Sequence, residues 1–412
     1  MLFSLLREPI LLLSSLFALS TMPALAETAM PDVAKQPTFE QWRSDFKAKA
    51  VKAGISPFVY DREMATVTLI TRVQELNNNQ PEHSRSIWDY LDGAVSTNRV
   101  SNGQTNAAAN LALLDKIEQT YGVDKEVIVA IWGLESSYGK LLGDYDVLSV
   151  LSTFAYQGRR TDYGRAQLLA ALKIIERGYA KRSQLKGSWA GAMGQTQFIP
   201  TTYLDYAIDQ DQDGNRNLWS NLDDVFASTA NYLSRSGYIG NTIWGMEVTL
   251  PKGFDYDIAD RTKRRTVAQW ASLGVVDAHL GALMDKYDPN AQAAVIVPAG
   301  ANGPAFMIFD NFRAILKYNN STSYALGIGL LSDKIAGRAK PLKKPWPRAD
   351  KALSFTQRKA LQTALTQKGY DPGPIDGVIG AGTRKALKKW QKDNGLPADG
   401  YASTTVLDLL TS

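Results

Sequence analysis

Cysteine is absent from the 412 residues. That absence excludes disulfides, thiolate catalysis, iron–sulfur clusters, Cys-based zinc sites and a lipid-modified N-terminal cysteine. Histidine is almost absent too, with only His83 and His279, far apart in sequence. A His-rich metal site and a Ser-His-Asp triad are therefore disfavoured. Past the N-terminal stretch, no segment is long and apolar enough to cross a bilayer. Charge of one sign is scarce: 46 Lys and Arg stand against 41 Asp and Glu, a net charge of +5. Without a long basic run, nucleic-acid binding is not indicated. What remains for chemistry is carboxylates, hydroxyls, amides and tyrosine. The 44% hydrophobic content is enough to bury a core, and the length suggests two or three units.

The first 26 residues read as a secretory signal. Arg7 supplies a positive charge, Ile10 to Leu19 an apolar run, and Ala24-Leu25-Ala26 an A-x-A cleavage site. Export to the periplasm as a soluble chain is the expectation. Apolar periodicity predicts helices over 39–53, 107–121, 124–135, 167–177 and 223–234. Strand patterns are few: 244–250, 293–298 and 306–309. The large unit, 35–338, is therefore expected to be mainly α with a small β element. Residues 339–352 hold Pro341, Pro345 and Pro347 among several cations and read as a stiff linker. Residues 353–411 read as a small three-helix unit around Leu361, Leu365, Leu387 and Trp390.

One carboxyl stands out. Val127 to Leu134 is nearly all apolar and leads straight into Glu135, followed by Ser136-Ser137-Tyr138-Gly139. A carboxyl ending such a helix sits at the edge of the core. Partial burial disfavours its charged form, which suits a general acid near neutral pH. The plainer alternative is a helix-end Glu hydrogen-bonded to Ser136 or Tyr138. Downstream, Gly187 to Pro200 (GSWAGAMGQTQFIP) mixes small residues with Ser188, Gln195, Gln197 and Phe198. Glycine lets a ligand approach the backbone, and Gln offers both donor and acceptor. A tight packed turn before a helix is the alternative there. Asp144 and Asp146, after the catalytic helix, read as loop polarity.

Four blocks occur in one order: Gly133-Leu134-Glu135-Ser136-Ser137-Tyr138-Gly139, Gly187 to Pro200, Ala230-Asn231-Tyr232, and Tyr318 to Tyr324. Together they make residues 35–335 resemble the lytic murein transglycosylases of the B type. The resemblance implies a lysozyme-like, α-rich catalytic domain. It also implies cleavage of the MurNAc–GlcNAc bond of peptidoglycan, leaving a 1,6-anhydro end, with Glu135 as the single acid and base. It implies that Ser188 and Gln197 bond the substrate with Phe198 beside them. Tyr232, Tyr318, Asn319 and Tyr324 would line the cleft, and Arg159, Arg160 and Tyr163 would reach glycan or peptide. Gln195-Thr196 and Ile199 stand where some relatives carry Tyr-Gly and Met. The rival readings are a hydrolytic muramidase and a non-catalytic wall tether. Peptidoglycan glycan strands are the expected partner, and nothing selects a particular cell-wall synthesis or division protein.

Asp209 to Asn217 reads D-x-D-x-D-G-N-x-N, the first part of an EF-hand-like calcium loop. Asp209, Asp211, Asp213 and Asn215 are the candidate ligands. Position 12 is Ser220 instead of Glu, and Asp223 is expected to complete a longer loop. Such a Ca²⁺ would be structural, and no cofactor is expected in catalysis. The alternative is a run of Asx turns before a helix. Beyond the linker, Asp376-Gly377-Val378-Ile379-Gly380, Thr383 and Trp390-Gln391 resemble a peptidoglycan-binding domain, with Thr383 expected to cap a helix.

Overall fold

The computed structural model describes residues 37–78, 85–158 and 160–412. The signal segment, His83 and Arg159 lie outside the described residues. No helix among those described is long and apolar enough to cross a membrane.

Helices dominate, and their ends follow local chemistry. Thr38 caps Phe39–Lys52 through a reciprocal pairing with Gln41. That helix buries Trp42, Phe46 and Ala50, one face at helical spacing. The expected boundary near residue 107 is displaced. Thr97–Ala109 ends at Asn110, and Leu111–Tyr121 ends at Gly122, whose φ of +65° is left-handed. The helix expected from residue 167 starts earlier, at Thr161; its first residues carry no apolar stripe, so apolar periodicity does not reveal them. It packs closely on Val147–Tyr156, which the periodicity missed. That helix sets Ser149, Ser152 and Thr153 on one stripe against Val147, Leu148, Val150, Leu151 and Phe154, and the fold buries both faces. Asp146 caps it, accepting from Ser149 N at 3.0 Å, and also pairs with Arg182 at 3.0 Å. Asp146 thus has two structural duties instead of being mere loop polarity.

The β element is larger than expected. A short pair, β1 (Tyr145–Asp146) with β2 (Lys186–Gly187), joins the catalytic turn region to the glycine-rich block. The remaining strands are β3 (Gly245–Thr249), β4 (Arg265–Thr266), β5 (Val276–Asp277), β6 (Gln292–Ile296) and β7 (Ala305–Ile308). They form one antiparallel sheet in the order β4-β6-β7-β3-β5. The two-residue strands β4 and β5 are too short to show alternation. Val248, Val295 and Met307 pack with Trp270 and Val267 on one face of this sheet.

Two apolar cores flank the catalytic region. One contains the helix Lys125–Ser136 and the helix Thr322–Ile335 packed on it. The other contains Phe46, Leu148, Leu168, Phe198 and Tyr203. Tyr318 touches both, so the site lies at their seam.

The small C-terminal unit has helices Phe355–Gln367, Ala381–Asp393 and Thr404–Thr411 around Leu361, Leu365, Leu387 and Trp390. Its Gly-containing loop is wound around buried Gln362. The Gln362 amide donates to Pro374 O (2.9 Å) and Asp376 Oδ1 (3.1 Å), and its oxygen accepts from Gly377 N at 2.7 Å. Thr383 does not cap the helix: it is buried one turn inside and donates to Pro372 O at 3.0 Å. Gly380 holds the cap position instead. The linker lies on the large unit. Glu247 on β3 accepts from Lys343 N (2.8 Å) and Lys344 N (2.9 Å), and Arg348 grips Asp92 through two bonds. Trp346 stacks on Phe306 with 6.2 Å between ring centres. The small unit itself touches the large one through Lys388 to Asp257 (3.1 Å) and Ala301 N to Asp399 (2.6 Å).

Candidate active site

Glu135 lies in the last turn of Lys125–Ser136. Seven successive residues before it, Val127 to Gly133, are buried, so the helix is fixed on all sides and its end is presented at the seam. The chain then reverses sharply: Ser137, Tyr138 and Gly139 have φ of +50°, +61° and +79°. Left-handed backbone is costly for residues with a Cβ and persists only where surroundings enforce it. Here Tyr138 N bonds Trp132 O (3.2 Å), Tyr138 OH bonds Arg99 O (2.6 Å), and Gly139 N bonds Ser136 Oγ (3.0 Å). Ser136 and Tyr138 are thereby occupied with the turn, so the plainer reading of Glu135 as their partner does not hold. Gly133 is needed because the Tyr138 ring occupies the space of its missing Cβ.

The partner of Glu135 is Tyr324, whose hydroxyl donates to Oε1 at 2.6 Å. Some of the Glu135 residue still reaches solvent, but the carboxyl is enclosed by protein. Burial pushes its pKa up to about 7, and the Tyr324 bond pulls in the opposite direction. Neither effect comes from another carboxylate. Asp144 is exposed and Asp146 is committed to Ser149 and Arg182.

Aromatic rings build the adjoining wall. Tyr318 stacks parallel to Tyr324 at 6.4 Å, and its hydroxyl donates to Thr196 O at 2.6 Å. Tyr232 meets Tyr318 edge-on at 4.9 Å and donates to Lys317 O at 2.5 Å. Phe198 is buried beneath both, 5.8 Å from each ring, so it supports the wall instead of lining it. Tyr324 is 5% exposed, and its polar contact is with Glu135. Asn319, next to Tyr318, is exposed.

The glycine-rich block folds as a tight double turn. Ser188 Oγ accepts from Ala190 N (3.3 Å) and Ala192 N (3.2 Å), leaving its proton without a partner among the described residues. Gln197, left-handed at φ +50°, donates to Leu142 O (3.1 Å) and Gly194 O (3.0 Å). Its oxygen accepts nothing among the described residues. Tyr163 reaches this block through Ala190 O at 3.4 Å, and Arg160 stands at the start of the same helix. The packed-turn alternative and the ligand reading are thus both partly right: the backbone is tightly closed, and two polar atoms are left over. The sequence offers Gln195 and Gln197 alike as donors and acceptors, and nothing in it separates the buried Gln195 from Gln197.

In the acidic loop, oxygens of Asp209, Asp211 and Asp213 lie within 4.8 Å of one another. Hard oxygen donors at this spacing fit Ca²⁺. Asp223 is not in that group. The carboxylate that the fold turns toward the loop is buried Asp224, which accepts from Gln210 N (2.7 Å) and Asn217 N (2.6 Å). Burial raises its pKa to about 6. The Asx turns are also present: Asp209 Oδ1 accepts from Asp213 N (3.1 Å), and Asp213 Oδ1 accepts from Asn215 N (2.7 Å).

Comparison with known proteins agrees with this geometry. Residues 38–333 match the transglycosylase SLT domain family, and residues 356–410 match a peptidoglycan binding domain family. The chain is 30% identical over 264 residues to membrane-bound lytic murein transglycosylase B of Escherichia coli K12, covering 62% of this chain and 69% of that protein. It is similar to SltB3 from Pseudomonas aeruginosa, solved in complex with NAG-anhNAM-pentapeptide. The TM-score is 0.86 and the identity 47%, over 91% of this chain and 99% of that one. The E. coli lytic transglycosylase Slt35, solved in complex with calcium, matches with TM-score 0.63 and 26% identity, over 75% of this chain and 96% of that one. A lysozyme-like helical frame, a matching domain over most of the chain and these relatives together place the protein in the transglycosylase SLT domain family, as a lytic transglycosylase that acts on peptidoglycan.

Proposed function

We propose that Glu135 alone serves as acid and then base in cleaving the MurNAc–GlcNAc bond. The observation that carries this reading is an enclosed carboxyl, its pKa pushed up to about 7 by burial, with no carboxylate partner among the described residues. Ordinary glycosidases need a second carboxylate as nucleophile or base. Here both nucleophiles belong to the sugar. Protonated Glu135 gives its proton to the glycosidic oxygen as the C1–O bond breaks. The muramoyl acetamido oxygen bonds C1 from the other face. The 6-hydroxyl then displaces it at C1, returning a proton to Glu135. No water is consumed, and orientation within one bound sugar replaces a bimolecular encounter.

Tyr324 holds Glu135 Oε1, leaving Oε2 for the glycosidic oxygen. Ser188 and Gln197 hold the sugars through the unused hydroxyl proton and amide oxygen. Tyr232 and Tyr318 form the wall, Asn319 meets the acetamido group, and Arg160 and Tyr163, with Arg159, meet glycan or peptide. Asp209, Asp211, Asp213 and Asn215 would hold a structural Ca²⁺, which cross-links the loop and takes no part in proton transfer. Residues 353–411 hold the wall polymer, and the chain works in the periplasm after removal of 1–26. The test is mass spectrometry of sacculi digested by wild type and Glu135→Gln. Anhydro ends from wild type and none from the variant support the reading. Reducing ends only would favour hydrolysis, and full activity of the variant would refute the role of Glu135.

A further inference from the structure

We propose that Gln195 is a positioning residue of the reaction, its buried carboxamide bracing the turn that carries Glu135 against the glycine-rich block. This rests on the reading of Glu135 as acid and base. Gln195 is 6% exposed, so its side chain is enclosed by protein. Its Oε1 accepts from the indole Nε1 of Trp132, three residues before Glu135, at 2.6 Å. The same oxygen occupies the space in which a Cβ on Gly139, four residues after Glu135, would stand. One amide oxygen therefore touches the chain on both sides of the catalytic carboxyl.

The other end of Gln195 is equally fixed. Its Nε2 donates to Trp219 O at 3.0 Å, and its backbone N–H donates to Leu218 O at 2.7 Å. Gly194, at φ +67°, permits this approach, since a Cβ there would press on Leu218 O. The brace thus runs from Leu218 and Trp219, through Gln195, to Trp132 and Gly139. The turn it meets is the left-handed run Ser137-Tyr138-Gly139. Such a backbone relaxes when its supports are removed. A small displacement of a proton donor has a large effect on rate, while sugar contacts made by Ser188 and Gln197 remain. Gln195 acts on turnover through Glu135 and not on ground-state binding.

The experiment is a double-mutant cycle on the full chain with a soluble glycan substrate, each rate taken per folded enzyme. Gln195→Ala is expected to lower kcat about ten- to hundredfold, with KM within about twofold of wild type. Gly139→Ala alone is expected to lower kcat as well, because its Cβ meets Gln195 Oε1, on top of the strain of an Ala at φ +79° that is the same in both backgrounds. In the Gln195→Ala background that Cβ enters vacated space, so the added loss is at least about threefold smaller. Independent, multiplying losses overturn the proposal, as does an unchanged kcat or a loss confined to KM. Glu135→Gln is measured alongside. An inactive Glu135→Gln with a normal Gln195→Ala sinks this proposal alone. An active Glu135→Gln sinks the acid–base reading beneath it.

Discussion

Replacing Tyr324 by Phe removes a single oxygen, the donor to Glu135 Oε1 at 2.6 Å. The ring and its stacking on Tyr318 remain. The lost bond favours the charged carboxylate, so its removal raises the pKa of Glu135 above the present value of about 7. A hydrogen bond to a charged group contributes about 1.5–3 kcal/mol, and one pKa unit corresponds to about 1.4 kcal/mol, so the rise is on the order of one to two units. The acid step requires the protonated form. The alkaline limb of kcat/KM should therefore move upward, from near pH 7 toward about pH 8 or beyond. At pH 7 the protonated fraction would rise from about half to about nine-tenths, a gain of less than twofold. Loss of orientation acts against that gain, so kcat at neutral pH should fall while the limb shifts. The assay is release of anhydromuropeptides from sacculi between pH 5 and 9, paired with carbon-13 titration of labelled Glu. A limb that stays in place, or moves to lower pH, would refute the assignment of Tyr324 as the group that tunes Glu135.

Glu135→Gln should stabilise the fold in alkaline solution. The folded pKa lies above the ordinary 4.5, so Glu135's favourable contribution is present below pH 4.5 and is lost as pH rises through about 7. The amide escapes a penalty that reaches roughly 3 kcal/mol, so its melting temperature should exceed wild type by several degrees at pH 8 and match it at pH 4.5. Equal melting at pH 8 would contradict burial as the cause. Calcium should raise the melting temperature of wild type but not of Asp211→Asn, with kcat changed little in either; identical melting curves with calcium and chelator would remove the ion from the loop. Gln362→Leu should unfold the C-terminal unit first in calorimetry, because the loop from Pro374 to Val378 loses the amide it is wound on, and the cleavage of short soluble glycans should be unaffected. A single unchanged transition would show that the loop stands without it.

The sequence exposed what periodicity and local rules can carry. Glu135 was legible because an apolar helix leads straight into it, and the helix 222–235 because Val225, Phe226 and Leu233 share one stripe. The helix Val147–Tyr156 does have a phase to read, with Ser149, Ser152 and Thr153 on one stripe; what the sequence hides is that this polar stripe is buried as well, the Ser149 and Thr153 hydroxyls accepting from Thr68 N and Ile70 N. The tyrosines were legible as a group only through the ordered blocks. Their division of labour, with Tyr324 on the acid and Phe198 underneath, depends on contacts spanning up to 189 residues. Sequence alone does not separate Asp223 from Asp224, because neighbouring carboxylates look alike until the helix phase is known; the fold turns Asp224 toward the loop backbone. Gln195 fell silent for the same reason: its two partners, Trp132 and Trp219, lie 63 residues before and 24 after it.

Glu247 receives two successive amide protons of the linker, and Arg348 closes on Asp92 a few residues later. A leash would let the C-terminal unit sample a sphere, and capture would only enrich polymer nearby. A strap pinned at Lys343–Lys344 and again at Arg348 holds the same unit in one place, where Lys388 meets Asp257 and Asp399 accepts from Ala301 N.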